Sequence, residues 1–147
     1  MIIDFEIGQT EKEKVVVTEM LIEEMAKISN DYNPIHMSDE FARNSIFGKR
    51  IAHGLVCEAL VSSLIVNKLP GAGAIFLNIS FTFRKPVFIE DTITVTGTIK
   101  SIDHERDIMI LEIICNNQDD IIVTESIAEV KYIKIKESNN AKNHEND

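Results

Sequence analysis

The sequence predicts an α+β domain in which one long helix lies against an antiparallel sheet. Residues 52–68 carry apolar side chains at helical spacing over more than one face, the pattern of a largely buried helix. Beyond that helix the chain reads as strand, and residues 92–99 alternate polar with apolar or small at period two, the pattern of a half-buried strand. At 147 residues the chain is long enough for one core without disulfides or structural metal. A helix followed by a run of strands buries both apolar faces by wrapping the sheet around the helix.

Lys14-Val15-Val16-Val17 reads as a strand, and Thr18 offers an N-cap to a helix carrying Leu21, Ile22, Met25 and Ile28 at helical spacing. Glu19 falls in its first turn, where the helix dipole favours an anion. The helix must stop near Asn33-Pro34, because the residue before proline is pushed out of the α region and proline donates no backbone hydrogen bond. Asp31 to His36 are therefore expected on an irregular connection. A second helix runs from about Ala52 to Lys68 and is broken by Pro70-Gly71-Ala72-Gly73. Strands are expected over 74–84, 92–99, 108–115 and 121 to about 135, with polar turns at 103–107 and 119–120. Residues 1–136 form the expected domain, and the polar, aperiodic residues 137–147 a disordered tail.

The composition excludes several classes. With 44% hydrophobic and 27% charged residues the chain matches ordinary globular proteins. Its most apolar stretch, 55–69, is interrupted by Glu58, Asn67 and Lys68 and is shorter than the roughly 20 residues of a membrane span. No secretory leader is read at the N-terminus, so a cytoplasmic location is expected. Cys57 and Cys115 are expected as buried free thiols. A net charge of -9 offers no basic stripe for nucleic acid, and a polyanionic ligand would need a local cationic cluster.

Ser29-Asn30-Asp31-Tyr32-Asn33-Pro34-Ile35-His36 resembles the signature of the MaoC-like dehydratases and (R)-specific enoyl-CoA hydratases: glycine, aspartate, any residue, asparagine, proline, an aliphatic residue and histidine. Asn30 stands where the family usually has glycine; asparagine also tolerates left-handed backbone. The resemblance continues through Ile51-Ala52-His53-Gly54-Leu55, Leu69-Pro70-Gly71 and residues 81–91. It implies a hot-dog fold, a homodimer, no metal or redox cofactor, and hydration of a trans-2-enoyl-CoA to an (R)-3-hydroxyacyl-CoA, coenzyme A being part of the substrate. It also implies that Asp31 and His36 form the catalytic pair and jointly hold one water, that the Gly54 amide stabilises the enolate oxygen, that Asn33 shapes the loop and that Ser62 orients the aspartate. The residue types suit the chemistry, since hydration needs a base for water, a proton for Cα and donors for the oxyanion.

Other readings stand beside these. Asp31 and Asn33 before proline are also turn formers. His53 reads as a structural helix-start residue or a substrate contact; with Cys57 four residues on, it makes too small a set for a confident zinc site. Glu58 on the apolar helix is placed as in hot-dog thioesterases, where a carboxylate activates water for hydrolysis, or lies at an exposed edge or subunit interface. A non-catalytic acyl-thioester binding module is the third reading. Arg84 with Lys85, or Lys49 with Arg50, are candidates for coenzyme A phosphates, and Ile65 and Val130 for the acyl pocket. Nothing in the motif distinguishes coenzyme A from acyl carrier protein as the carrier.

Overall fold

The computed structural model describes residues 2–133. The expected tail, 137–147, lies outside them. After a short 3-10 turn at Ile2–Asp4 come β1 (Thr10–Val16), α1 (Glu19–Ser29), α2 (Pro34–Met37), α3 (Asp39–Arg43), α4 (Gly54–Asn67), β2 (Ala74–Phe83), β3 (Thr92–Asp103), β4 (Ile108–Asn116) and β5 (Ile122–Tyr132). The strands form one antiparallel sheet in the order β1-β3-β4-β5-β2. With α4 packed on one face, this is the hot-dog arrangement that the resemblance implies.

Strand pleating decides which face is inside, in β3 as its sequence alternation predicts and in β4 without such a signal. Ile93, Val95 and Ile99 of β3, and Met109, Leu111 and Ile113 of β4, are fully buried while their neighbours are half exposed. They meet Val56, Leu60, Val61, Leu64 and Ile65 of α4 in one core. Gly97 lets the helix approach: a Cβ there would stand 2.8 Å from Leu64 Cδ2. α4 is less enclosed than its composition suggests, since Leu55 and Val66 face outward at 37% and 42% exposure.

β1 starts four residues before its expected position at Lys14, because Thr10-Glu11-Lys12-Glu13 is an edge segment bonded only to β3 and needs no apolar face. α1 is capped by the Thr18 side chain, which accepts from the Leu21 amide at 3.1 Å. It ends at Ser29, and Asn30 closes it in the left-handed conformation at φ 57°. Ile28, expected on the apolar face, is 83% exposed.

The segment from Asp31 to His36 is not wholly irregular. Asn33 caps α2, accepting from the Ile35 amide at 3.3 Å, and Pro34 occupies its first turn, where proline's missing donor costs nothing. Ser38 caps α3 in the same way. Among the described residues no helix is long and apolar enough to cross a membrane.

Candidate active site

The ends of α1 and α4 meet at the motif. The Ser29 hydroxyl donates to Met25 O and accepts from the Asp31 amide, while Asp31 Oδ1 accepts from the Asn33 amide at 3.1 Å. These local bonds turn the chain as α1 ends and leave the Asp31 carboxylate 44% exposed. One helical turn places His36 facing inward, 8% exposed.

His36 has a defined tautomer. Its Nδ1–H donates to Ile51 O at 2.7 Å, which leaves an Nε2 lone pair facing Asp31 Oδ2 at 3.8 Å. Burial lowers the His36 pKa most and His53 lowers it further, against the Ile51 bond and the Asp31 charge, which raise it. The net effect is a histidine held neutral to lower pH than usual.

His53 ties the two halves of the site together. Its Nε2–H donates to the Asp31 carbonyl at 2.9 Å, and its ring stacks on His36 with centroids 4.0 Å apart. It also occupies the N-cap of α4, without a side-chain cap bond. His53 thus has the structural contacts of a helix-start residue and also lines the cleft. Beside it, Gly54 opens α4, and its amide has no acceptor within the helix. A Cβ at Gly54 would lie 2.9 Å from Phe83 Cζ, so only glycine leaves this helix end uncrowded.

A cleft of about 490 Å³ has His36, His53 and Gly54 in its wall beside Phe83, Val87 and Thr124; Asp31 is not among the residues that line it. Phe83, Val87 and Thr124 were not singled out by the sequence, because they come from β2, a loop and β5 and carry no local motif. Cys57 also reaches this wall. It is a free, buried thiol, as is Cys115; the hydrogen bond between them lowers the Cys57 pKa and raises that of Cys115.

The remaining candidates divide. Arg84 and Lys85 line the cleft, although Arg84 is paired with Glu125 at 2.7 Å. Lys49 sits over the Phe88 ring, 4.3 Å from its centroid. Arg50 is not available to a ligand: its guanidinium is consumed by Glu19 at 2.6 Å and Asp39 at 2.8 Å, and it also donates to His36 O. It braces α1, α2 and α3 against one another. Ile65 and Val130 are fully buried in the core and do not line this cleft, because they lie on the facing sides of helix and sheet. Ser62 is exposed on α4, about 12 Å along the axis from Gly54, and makes no hydrogen bond to Asp31 among the described residues. Glu58 is half buried and does not line the cleft.

A neutral imidazole and an open helix N-terminus share the cleft wall, and a half-exposed carboxylate stands 3.8 Å from the imidazole just outside that lining; together they make an acid-base site with an anion-stabilising end. The family described as MaoC like domain matches residues 4–114, and the chain belongs to it. It is 36% identical to a 3-hydroxybutyryl-CoA dehydratase of Methylorubrum extorquens over 82% of this chain and 76% of that one. It is 32% identical to an (R)-specific enoyl-CoA hydratase of Rhodospirillum rubrum, over 82% of this chain and 83% of the relative. Among solved structures, the (R)-hydratase of Aeromonas caviae superposes with a TM-score of 0.85 at 29% identity, covering 88% of this chain and 98% of the other.

Proposed function

We propose that the protein is an (R)-specific enoyl-CoA hydratase, adding water reversibly across the double bond of a trans-2-enoyl-CoA. The observation that carries this reading is the His36 Nε2 lone pair facing Asp31 Oδ2 at 3.8 Å, beside the open N-terminus of α4. A water bonded to both groups loses one proton to the pair as its oxygen joins Cβ. The pair returns one proton to Cα, so the site ends as it began. The negative charge that develops on the thioester oxygen is met by the Gly54 amide and the helix dipole. Asn33 holds the loop by capping α2. Relatives named for the same hydration, and for the reverse dehydration, support the reaction and its (R) outcome.

Arg84 and Lys85 at the cleft rim supply the cationic cluster that coenzyme A phosphates require in a chain of net charge -9. No metal or redox cofactor enters this chemistry. The assembly is a homodimer: β2 is a sheet edge with Ile75, Leu77 and Phe83 exposed, and α4 presents Leu55 and Val66. The location is the cytoplasm, where coenzyme A thioesters are available.

The test is loss of enoyl-thioester absorbance with crotonyl-CoA, with free thiol assayed in parallel. Asp31→Asn and His36→Ala are expected to lose about 10² to 10⁴-fold in kcat/KM with no thiol released. Thiol release abolished only by Glu58→Gln would establish a thioesterase instead, and acyl-CoA binding without turnover a binding module. Ultracentrifugation returning a monomer would sink the dimer.

A further inference from the structure

We propose that His53 is the positioning residue of the acid-base pair, holding Asp31 and His36 at the separation that admits one water and in register with the Gly54 amide. The proposal deepens the hydratase reading above and rests on it.

The pair does not hold itself together. Asp31 Oδ2 and His36 Nε2 stand 3.8 Å apart, beyond a hydrogen bond, so neither side chain fixes the other. Asp31 follows the left-handed Asn30 on a connection outside any helix or strand, and its bonds with Ser29 and Asn33 are local. Placing it against His36 takes a bond from a distant element, and His53 supplies one: its Nε2–H donates to Asp31 O at 2.9 Å across 22 residues. The direction is forced, because a carbonyl only accepts.

The same ring lies on the other member of the pair. The two imidazole planes are 29° apart with centroids at 4.0 Å, so His53 covers one face of His36 and resists tilting about the Nδ1 bond to Ile51 O. His53 is itself held fast. It is 3% exposed, it is the N-cap of α4 directly before Gly54, and the Ala52 amide preceding it donates to Val87 O at 2.7 Å. One fixed residue therefore bears on the backbone of the carboxylate, the face of the imidazole and the helix end that meets the oxyanion. These three groups come from separate segments, and a misplacement of about 1 Å among them costs about 10²-fold in rate.

The stack also has an electrostatic side. Burial, to which the covering ring contributes, lowers the His36 pKa, and a charge on His53 lowers it further. The bond to Ile51 O and the Asp31 charge oppose them. Arg50 faces the backbone oxygen of His36, while Arg84, Lys85 and Cys57 share the cleft wall with the ring. Removing the His53 imidazole therefore moves His36 protonation to higher pH, a change that a merely loosened fold does not predict.

Two variants separate the two contacts. His53→Gln keeps an N–H donor for Asp31 O and loses the ring; His53→Phe keeps a ring on His36 and loses the donor. With crotonyl-CoA each is expected to lower kcat about 10–100-fold while KM changes less than about threefold. In His53→Gln the acid limb of kcat/KM and the NMR titration of the His36 ring are both expected to move to higher pH. Nitrogen NMR of the wild-type imidazoles, which needs neither variant to fold, is expected to show His36 as the Nδ1–H and His53 as the Nε2–H tautomer. The opposite tautomer of His53 overturns the proposal. So does wild-type kcat in both variants, or a kcat that falls in step with thermal stability while the His36 titration stays in place. A raised KM at unchanged kcat overturns it in favour of a direct substrate contact. A chain that shows both tautomers and the titration shift but hydrates no enoyl thioester overturns the enzymatic reading alone.

Discussion

At the scale of single residues, the site depends on one tautomer and one missing methyl. The Ile51 carbonyl decides which nitrogen of His36 keeps its lone pair, and burial decides how readily that nitrogen is protonated. Because burial is the largest influence, the folded His36 takes its proton only below the ordinary value of about 6.5. Full activity is therefore expected above that pH, with the acid limb of a kcat/KM profile falling below it. A limb above it would mean that Asp31 dominates. The unfolded chain protonates first, so this group also weakens the fold as pH drops from about 6.5 toward the depressed value. Gly54→Ala would set a methyl 2.9 Å from Phe83 Cζ; the ring, 54% exposed, can swing aside, so the fold should survive. The displaced ring enters the cleft, and kcat/KM is expected to fall about tenfold or more, read in the same hydration assay. The Asp31 and His36 pair was visible in the sequence because the motif is local. The link from His53 to the Asp31 carbonyl was not, since it joins positions 22 residues apart.

At the scale of elements, caps determine where the chain turns. Asn30 holds the left-handed position that ends α1, and its presence in place of the usual glycine reflects asparagine's tolerance of that region. Asn30→Gly is expected to leave stability within a few tenths of a kcal/mol, whereas Asn30→Val should cost about 1–2 kcal/mol in urea denaturation. Equal effects would show that the cap conformation does not matter. α2 was missed because Asn33-Pro34 was read as a stop, when the same pair serves as an N-cap and first helical residue. Proline punctuates in both directions, and only the packing of the residues after it selects one. β1 was underestimated for a related reason: charged alternation carries no hydrophobic signal, and its partners in β3 lie 76 to 88 residues away.

At the scale of the whole molecule, α4 and the sheet approach closely where Leu64 crosses Gly97. Leu64 is fully buried and cannot move aside freely, so Gly97→Ala is expected to cost about 1–3 kcal/mol. The penalty should shrink in a Leu64→Ala background, which a double-mutant cycle on thermal or urea unfolding would detect. Additive effects would mean that the contact is not the reason for the glycine. The same packing explains why Ile65 and Val130, acyl-contact candidates by residue type, belong to the core instead.

Period-two alternation, the helical segment and the short motif are properties of neighbouring residues, so the sequence by itself determined the fold class, most strands, the second helix and the proposed catalytic pair. Tertiary structure alone decided what surrounds that pair: the Ile51 carbonyl on His36, the buried Nδ1 of His53 and the withdrawal of Arg50 into ion pairs. Each depends on which helix face turns inward and which distant carbonyl lies within hydrogen-bond reach. Spacing along a chain cannot specify those contacts, because they are set by how separate elements share one core.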